Sequence, residues 1–309
     1  MITSVFKKST PLNYSLVVIL ILVFFFMFQI KDPTWATSYF LAFQKVSLLC
    51  FILASFFMIN FIVKKNGLSK DNGYAIFFYL LFLLFFPTIF NNSNVIYGNF
   101  FILLALRRLI SLQSMKASKE KIFDASLWII LASLFHFWSI LFLILVFISI
   151  VLLVSRDYTN WGLPFIALLA VGILFAFFTS IFDINTLQYL ENASQTNFAI
   201  DYFKNTSENI AFSIYVSVAL FFVFSMFISL SHRPSMTQTS YKKVVASFFI
   251  GAIVFVVSAD KSSDFLALTI APLAILATAH LEYSQTRFKQ EIAFGLVLLC
   301  SLYSFVSQL

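Results

Sequence analysis

The chain has 309 residues, of which 61% are hydrophobic and 11% charged, with 43 Phe and a formal charge of +7. Soluble domains carry about 25% charged residues, and a globule with a mean hydropathy of +0.95 could not cover itself with polar side chains. These figures exclude a cytosolic enzyme, a secreted disulfide scaffold and a nucleic-acid-binding domain, and leave an all-α, polytopic integral membrane helical bundle.

A spanning helix takes about 20 apolar residues, fewer inside a bundle, so one transmembrane domain over 1–309 has room for about ten or eleven spans. Residues 1–11 are short and basic, with Lys7 and Lys8 ahead of Pro11. Residues 12–30 read as an uncleaved first span, because the apolar core is too long for a signal peptide and no small-x-small site precedes Lys31-Asp32-Pro33. Further spans are expected at 38–63, 73–90 and 98–114. The stretch 121–155 is too long for one helix and cramped for two full ones, so it reads as two short helices, about 121–135 and 137–155, meeting at His136-Phe137-Trp138-Ser139. The remaining spans are 161–182, 209–231, 244–258, 264–281 and 291–308. No repeat or domain boundary is visible.

With the N-terminus inside, the inner segments hold 16 Lys and Arg, and the outer loops hold Lys31, Lys204 and Lys261. A single crossing of 121–155 would put the basic loop 232–243 outside and the acidic loop 183–208 inside. The positive-inside bias therefore favours eleven crossings. Cys50 and Cys300 lie in apolar runs and read as buried small hydrophobes.

The expected outer face carries the candidate chemistry. Asp32 reads either as a general base or metal ligand at the membrane surface, or as a turn residue paired with Lys31. His136 is an intramembrane ionisable group at a helix break. It could hold a diphosphate as a cation, shuttle a proton when neutral, or bond a carbonyl freed by the break. Lys45, beside Gln44, could contact a phosphate or snorkel to the headgroups. Loop 183–208 carries four acids, with Tyr189, Phe198, Tyr202 and Phe203 among them. Aromatic faces with Asn, Gln and Asp suit a sugar; an ordinary solvated loop with interfacial aromatics is the plainer reading. Asp260-Lys261 and Asp264 read as hairpin charges that pair locally. On the inner face, Arg107-Arg108 with Lys116, Lys119 and Lys121 form the densest basic cluster. It reads as a topology determinant on anionic lipid, or as a nucleotide or phospholipid site without a glycine-rich loop. His232-Arg233-Pro234 and Lys242-Lys243 form a second basic loop. There is no P-loop, HExxH, CxxC or GxSxG. His136 is placed outside and His232 and His280 inside, so the three cannot share one ion.

MITSVFKKSTPLNYS at the start, NFFILLALRRLISLQS (99–114) and KEKIFDASLWIILASLFHFWSILF (119–142) resemble an uncharacterised family of flavobacterial polytopic membrane proteins. Some members carry the label beta-carotene monooxygenase, an iron chemistry that the histidine placement does not support. The order of apolar helix, basic inner loop, short helix, Leu134-Phe135-His136, aromatic-Ser and apolar helix is similar to O-antigen polymerase and EpsG-like proteins and to polyprenyl-dependent membrane glycosyltransferases. Gly98-Asn99 stands where the polymerases carry Arg-Gln.

These resemblances imply a bacterial inner-membrane protein of envelope polysaccharide or glycolipid assembly, which transfers or polymerises a sugar from a polyprenyl-diphosphate carrier. Asp32, or an acid of 183–208, and His136 are the catalytic candidates; Lys45, Trp138, Asp201 and Tyr202 are the substrate-binding ones. No cofactor is expected, a divalent metal is left open, and the expected partners are the lipid bilayer and a polyprenyl-linked glycan rather than nucleic acid. The alternative is a non-enzymatic subunit or scaffold of an envelope complex, supported by the scarcity of intramembrane charge beyond Lys45 and His136. A solute transporter fits less well, without paired intramembrane charges or inverted repeats.

Overall fold

The computed structural model describes residues 6–31, 33–183, 185–198, 203, 205–259, 262–283 and 286–309. Its helices in chain order are α1 (Pro11–Gln29), α2 (Tyr39–Lys65), α3 (Tyr74–Leu83), α4 (Ser93–Ser111), α5 (Ser118–Phe135) and α6 (Leu143–Leu153). They are followed by α7 (Thr159–Ile181), α8 (Thr186–Ala193), α9 (Thr206–Leu230), α10 (Ser235–Val257), α11 (Ala267–Tyr283) and α12 (Arg287–Gln308). Among the described residues, eight helical segments are long and apolar enough to cross a membrane, and two shorter apolar ones lie at Tyr74–Leu83 and Phe137–Leu153. This is an all-α membrane bundle; among the described residues its β structure is a single antiparallel bridge, Thr196 with Ser258.

Helix starts follow local chemistry. Pro11 opens α1 where its missing N–H costs nothing, and the Thr10 hydroxyl accepts from Asn13 N–H. Asn92 caps α4 by accepting from Val95 N–H at 3.3 Å. The break in 121–155 falls where the sequence places it. His136 has extended backbone (φ −143°, ψ 105°) that ends α5, and a 3₁₀ segment, Phe137–Phe142, leads into α6. The chain then returns to where α5 began, because Lys119 Nζ lies 3.2 Å from Asp157 Oδ2.

Burial sorts the helices into layers. In the apolar window of α11 94% of residues are buried, against 61% for α4 and α10 and 22% for α1 and α7. Every residue of α3 is buried. So α11 and α3 form the centre, α4 and α10 flank it, and α1, α7, α9 and α12 turn apolar side chains such as Phe177, Phe224 and Leu299 outward toward lipid. Lipid offers helices no hydrophobic reason to associate, so small residues and close packing have to hold the bundle together. The α11 sequence supplies them with five alanines and two threonines. Pro272 lacks the N–H that would bond Leu268 O. Gly251 of α10 packs against that carbonyl: a Cβ there would stand 3.2 Å from Leu268 O and 3.0 Å from Thr269 Cγ2.

The two ends differ in charge. One gathers Lys64, Lys65, Arg107, Arg108, Lys121 and Lys243 among the tips of α2, α4, α5 and α10. At this basic end the Glu282 carboxylate accepts from Ser69, Asn72 and Lys70 N–H and so pins the α2–α3 loop to α11. The opposite end carries Lys31 and Lys45.

Candidate functional site at the Lys31 end

Among the described residues, four 3₁₀ segments, Pro33–Thr37, Pro87–Asn91, Phe137–Phe142 and Ser263–Leu266, gather at the Lys31 end. Irregular backbone at membrane depth must be buried in protein or line a wet cavity. Here its polar groups are mostly paired across elements. Gln29 Nε2 donates to Phe90 O (2.9 Å) and Asn91 Oδ1 (3.2 Å). The Thr88 and Ser263 hydroxyls bond at 2.8 Å, and Asn92 Nδ2 donates to Asp264 Oδ2 at 3.2 Å.

His136 is half-buried. Ser258 Oγ gives its one proton to Val254 O (2.7 Å), so it accepts from His136 Nε2–H at 3.1 Å. The ring stacks on Phe265 at 4.4 Å. Trp138 spends its indole N–H on Gln195 O (3.1 Å), and Tyr189 OH donates to Leu134 O (3.2 Å). With the Thr196–Ser258 bridge, α8 and the residues after it fold over the helix break. Lys45 projects from the second turn of α2, and its Nζ reaches Asn91 Oδ1 at 2.5 Å. Asp32, Asp201 and Tyr202 lie outside the described residues.

The open space at this end is elsewhere. A cleft of about 560 Å³ lies between the last turns of α1 and α12, the Pro87–Asn91 segment and the first turn of α9. Lys31, Asn91, Asn205, Glu208 and Gln308 line it, with Phe28 on one wall. Lys31 Nζ donates to Gln308 O (3.1 Å), and Asn205 Nδ2 donates to Glu208 Oε1 (3.1 Å). Lys45 is linked to the cleft through Asn91. Its size is that of a small-ligand site, and its lining of amides, hydroxyls, one cation and one carboxylate matches a hydroxyl-rich ligand with a negative charge.

A family model matches residues 4–309. The chain belongs to the family of unknown function DUF6427. No curated protein matches it, and no solved structure does either.

Several features of this DUF6427 chain differ from the sequence reading. Lys242 and Lys243 are not in a loop: α10 begins at Ser235, and Lys243 is fully buried with its Nζ 2.6 Å from Leu109 O. The carbonyls at the end of α4 make that burial tolerable, since the C-terminal end of a helix attracts a cation. Cys50 is exposed on the face of α2 rather than buried, and Cys300 is half-buried. Asp264 is 8% exposed; its Oδ2 accepts from Asn92 and its Oδ1 has no hydrogen-bond partner among the described residues, while Asp260 and Lys261 lie outside the described residues. Asp124 pairs with Arg108 across to α4 at 2.8 Å. The histidines, by contrast, are separated as expected: His280 bonds through Nδ1 to Ser225 and His232 stacks on Tyr283 near the basic end, away from His136. Sequence reasoning missed Asn91 and Gln308; Glu208 was visible only as one of four acids in a loop.

Proposed function

We propose that this chain is a multi-pass inner-membrane protein of envelope glycan assembly that transfers or polymerises a sugar from a polyprenyl-diphosphate carrier at the outer face. One observation carries the reading: a single cleft collects Lys31, Glu208 and Asn91, the last held by the Lys45 ammonium. The reading takes α3, α5 and α6 as one crossing each, for eleven in all, and the basic end as cytoplasmic. Lys31, Lys45 and the N-terminal turn of α9 supply the positive potential that a diphosphate requires. The Asn91, Asn205 and Gln308 amides are partners for sugar hydroxyls. Glu208, at the end of the acidic loop, acts as general base. It takes the proton of the acceptor hydroxyl as that oxygen bonds the anomeric carbon. The bond from that carbon to the diphosphate oxygen breaks, and the diphosphate leaves with the electron pair. His136 and Trp138 then serve to hold the acidic segment in place rather than to touch substrate.

The test compares lipid-linked glycans and surface polysaccharide in a deletion strain complemented with wild type, Glu208→Gln, Lys31→Ala or His136→Ala. Accumulated lipid-linked units with Glu208→Gln and Lys31→Ala support the reading. Normal glycans in the deletion strain, or full rescue by both variants, overturn it. The contacts that α8 and the residues after it make over the helix break at His136 favour a second reading, a non-enzymatic subunit of an envelope complex. Under that reading Glu208→Gln rescues fully, while disruption of the Trp138–Gln195 cover does not.

A further inference from the structure

The basic end holds a second cleft, of about 520 Å³, where the ends of α2 and α4 meet the starts of α5 and α10. Lys65, Arg107, Arg108 and Lys121 all line it. The partners of these cations show which charges are already answered. Arg108 is neutralised by Asp124 at 2.8 Å. Lys121 gives hydrogen bonds to Ser111 O (2.8 Å) and Ser114 Oγ (2.7 Å), and behind it Lys243 gives one to Leu109 O (2.6 Å). Those two ammonium groups answer the partial negative charge at the C-terminus of α4. Lys65 and Arg107 have no such answer: each lies over the Phe61 ring, at 5.0 and 4.5 Å, and among the described residues neither pairs with a carboxylate. An aromatic ring orients a cation without neutralising it. The cleft therefore holds a guanidinium and an ammonium that both contact the Phe61 ring, with Lys121 and the Ser114 and Thr237 hydroxyls also in its lining. A guanidinium fork and an ammonium that line one cleft without carboxylate partners suit a phosphate group.

We propose that this cleft is a phosphate-binding site, separate from the cleft at the Lys31 end, with Arg107 and Lys65 as its principal ligands. A phosphate group at this depth can come from the headgroup of an anionic lipid or from a soluble phosphate compound. Exposed Met236 and Phe61 on the rim give an acyl chain an apolar path out of the cleft.

The experiment measures the thermal midpoint of the full chain in nanodiscs. One arm compares phosphatidylglycerol with phosphatidylcholine; the other adds pyrophosphate to phosphatidylcholine discs. Each arm is repeated with the Lys65→Gln/Arg107→Gln double variant and with Lys8→Gln/Lys70→Gln, which removes two exposed charges from the same end outside the cleft. A rise with phosphatidylglycerol alone, lost in the cleft variant and kept in the control variant, identifies a lipid headgroup. A rise with pyrophosphate, lost in the same way, identifies a soluble phosphate compound. No rise in either arm, or a rise equal in the two double variants, overturns the proposal. Should the double variant not fold, Arg107→Lys and Arg107→Gln replace it: the site requires lysine to retain more of the rise than glutamine, and equal rises count against it.

Discussion

Replacing Gly251 with Leu tests the central packing argument. An added Cβ would meet Thr269 Cγ2 at 3.0 Å and Leu268 O at 3.2 Å, short of the 3.4 Å where ordinary contact begins. Neither neighbour can give way cheaply. Thr269 Oγ1 donates to Leu266 O and accepts from Tyr215 OH, both at 2.7 Å, which holds its rotamer. Leu268 O is backbone of the most buried helix. Relief must come from separating α10 and α11, and overpacking of this kind costs about 3 kcal/mol at the upper end of its range. Leaving glycine in a helix interior returns about 1 kcal/mol, for a net loss of about 2 kcal/mol. At about 2–4 °C per kcal/mol for chains of this order of size, the midpoint should fall by about 4–8 °C. Gly295→Leu is the control, because nothing lies within 4 Å of its Cβ position; it should hold the wild-type midpoint or exceed it. Size-exclusion chromatography after graded heating in detergent reads both. Equal midpoints for the two variants would refute the close-contact account of the α10–α11 interface.

Trp138→Phe removes the indole N–H from Gln195 O, a loss of about 1 kcal/mol. Proteolytic cleavage within 185–198 should accelerate in the variant while the rest of the chain keeps its pattern, as peptide mapping would show. Asp157 is held below its ordinary value of 3.8 by the Thr159 hydroxyl and N–H, then by Lys119. A lowered carboxylate contributes stability that is present above the unfolded value and lost as pH falls through the folded one. The thermal midpoint of wild type should therefore exceed that of Asp157→Asn at pH 7 and converge with it below pH 3.8. Leu187 and Met115 are both exposed, on opposite ends of the bundle. A membrane-impermeant thiol reagent should label Leu187→Cys in intact cells and Met115→Cys only after permeabilisation; the reverse pattern would invert the topology.

The helix break at His136 is legible because length alone decides it: 121–155 is too long to cross once. The start of α10 is not, because Lys242-Lys243 carries the local signature of a loop. What lets Lys243 enter the bundle is the end of α4, 134 residues away. The centrality of α11 leaves a trace in its small residues, but a run of apolar sequence looks the same whether lipid or protein surrounds it. The cleft at the Lys31 end is the least legible feature. Lys31 and Gln308 are 277 residues apart, and Asn91 belongs to a 3₁₀ segment that nothing in its immediate sequence marks as functional.

The helices around that cleft bear on the ligand proposed for it. Two of its walls are the ends of α1 and α12, whose apolar windows are 22% and 28% buried, and a third is the start of α9, at 33%. These are among the helices that face lipid. Ile30 and Val306, at 76% and 67% exposure, stand beside Lys31 and Gln308. Polar groups that converge within a ring of inner helices would suit a solute that passes through the bundle. Polar groups between peripheral helices suit a ligand that stays in the bilayer and enters sideways, its head on Lys31, Asn91 and Glu208 and its chain along apolar flanks. A polyprenyl-linked sugar has that shape and a free sugar does not. The position of the cleft thus supports the lipid-linked substrate proposed above on grounds separate from the chemistry of its lining.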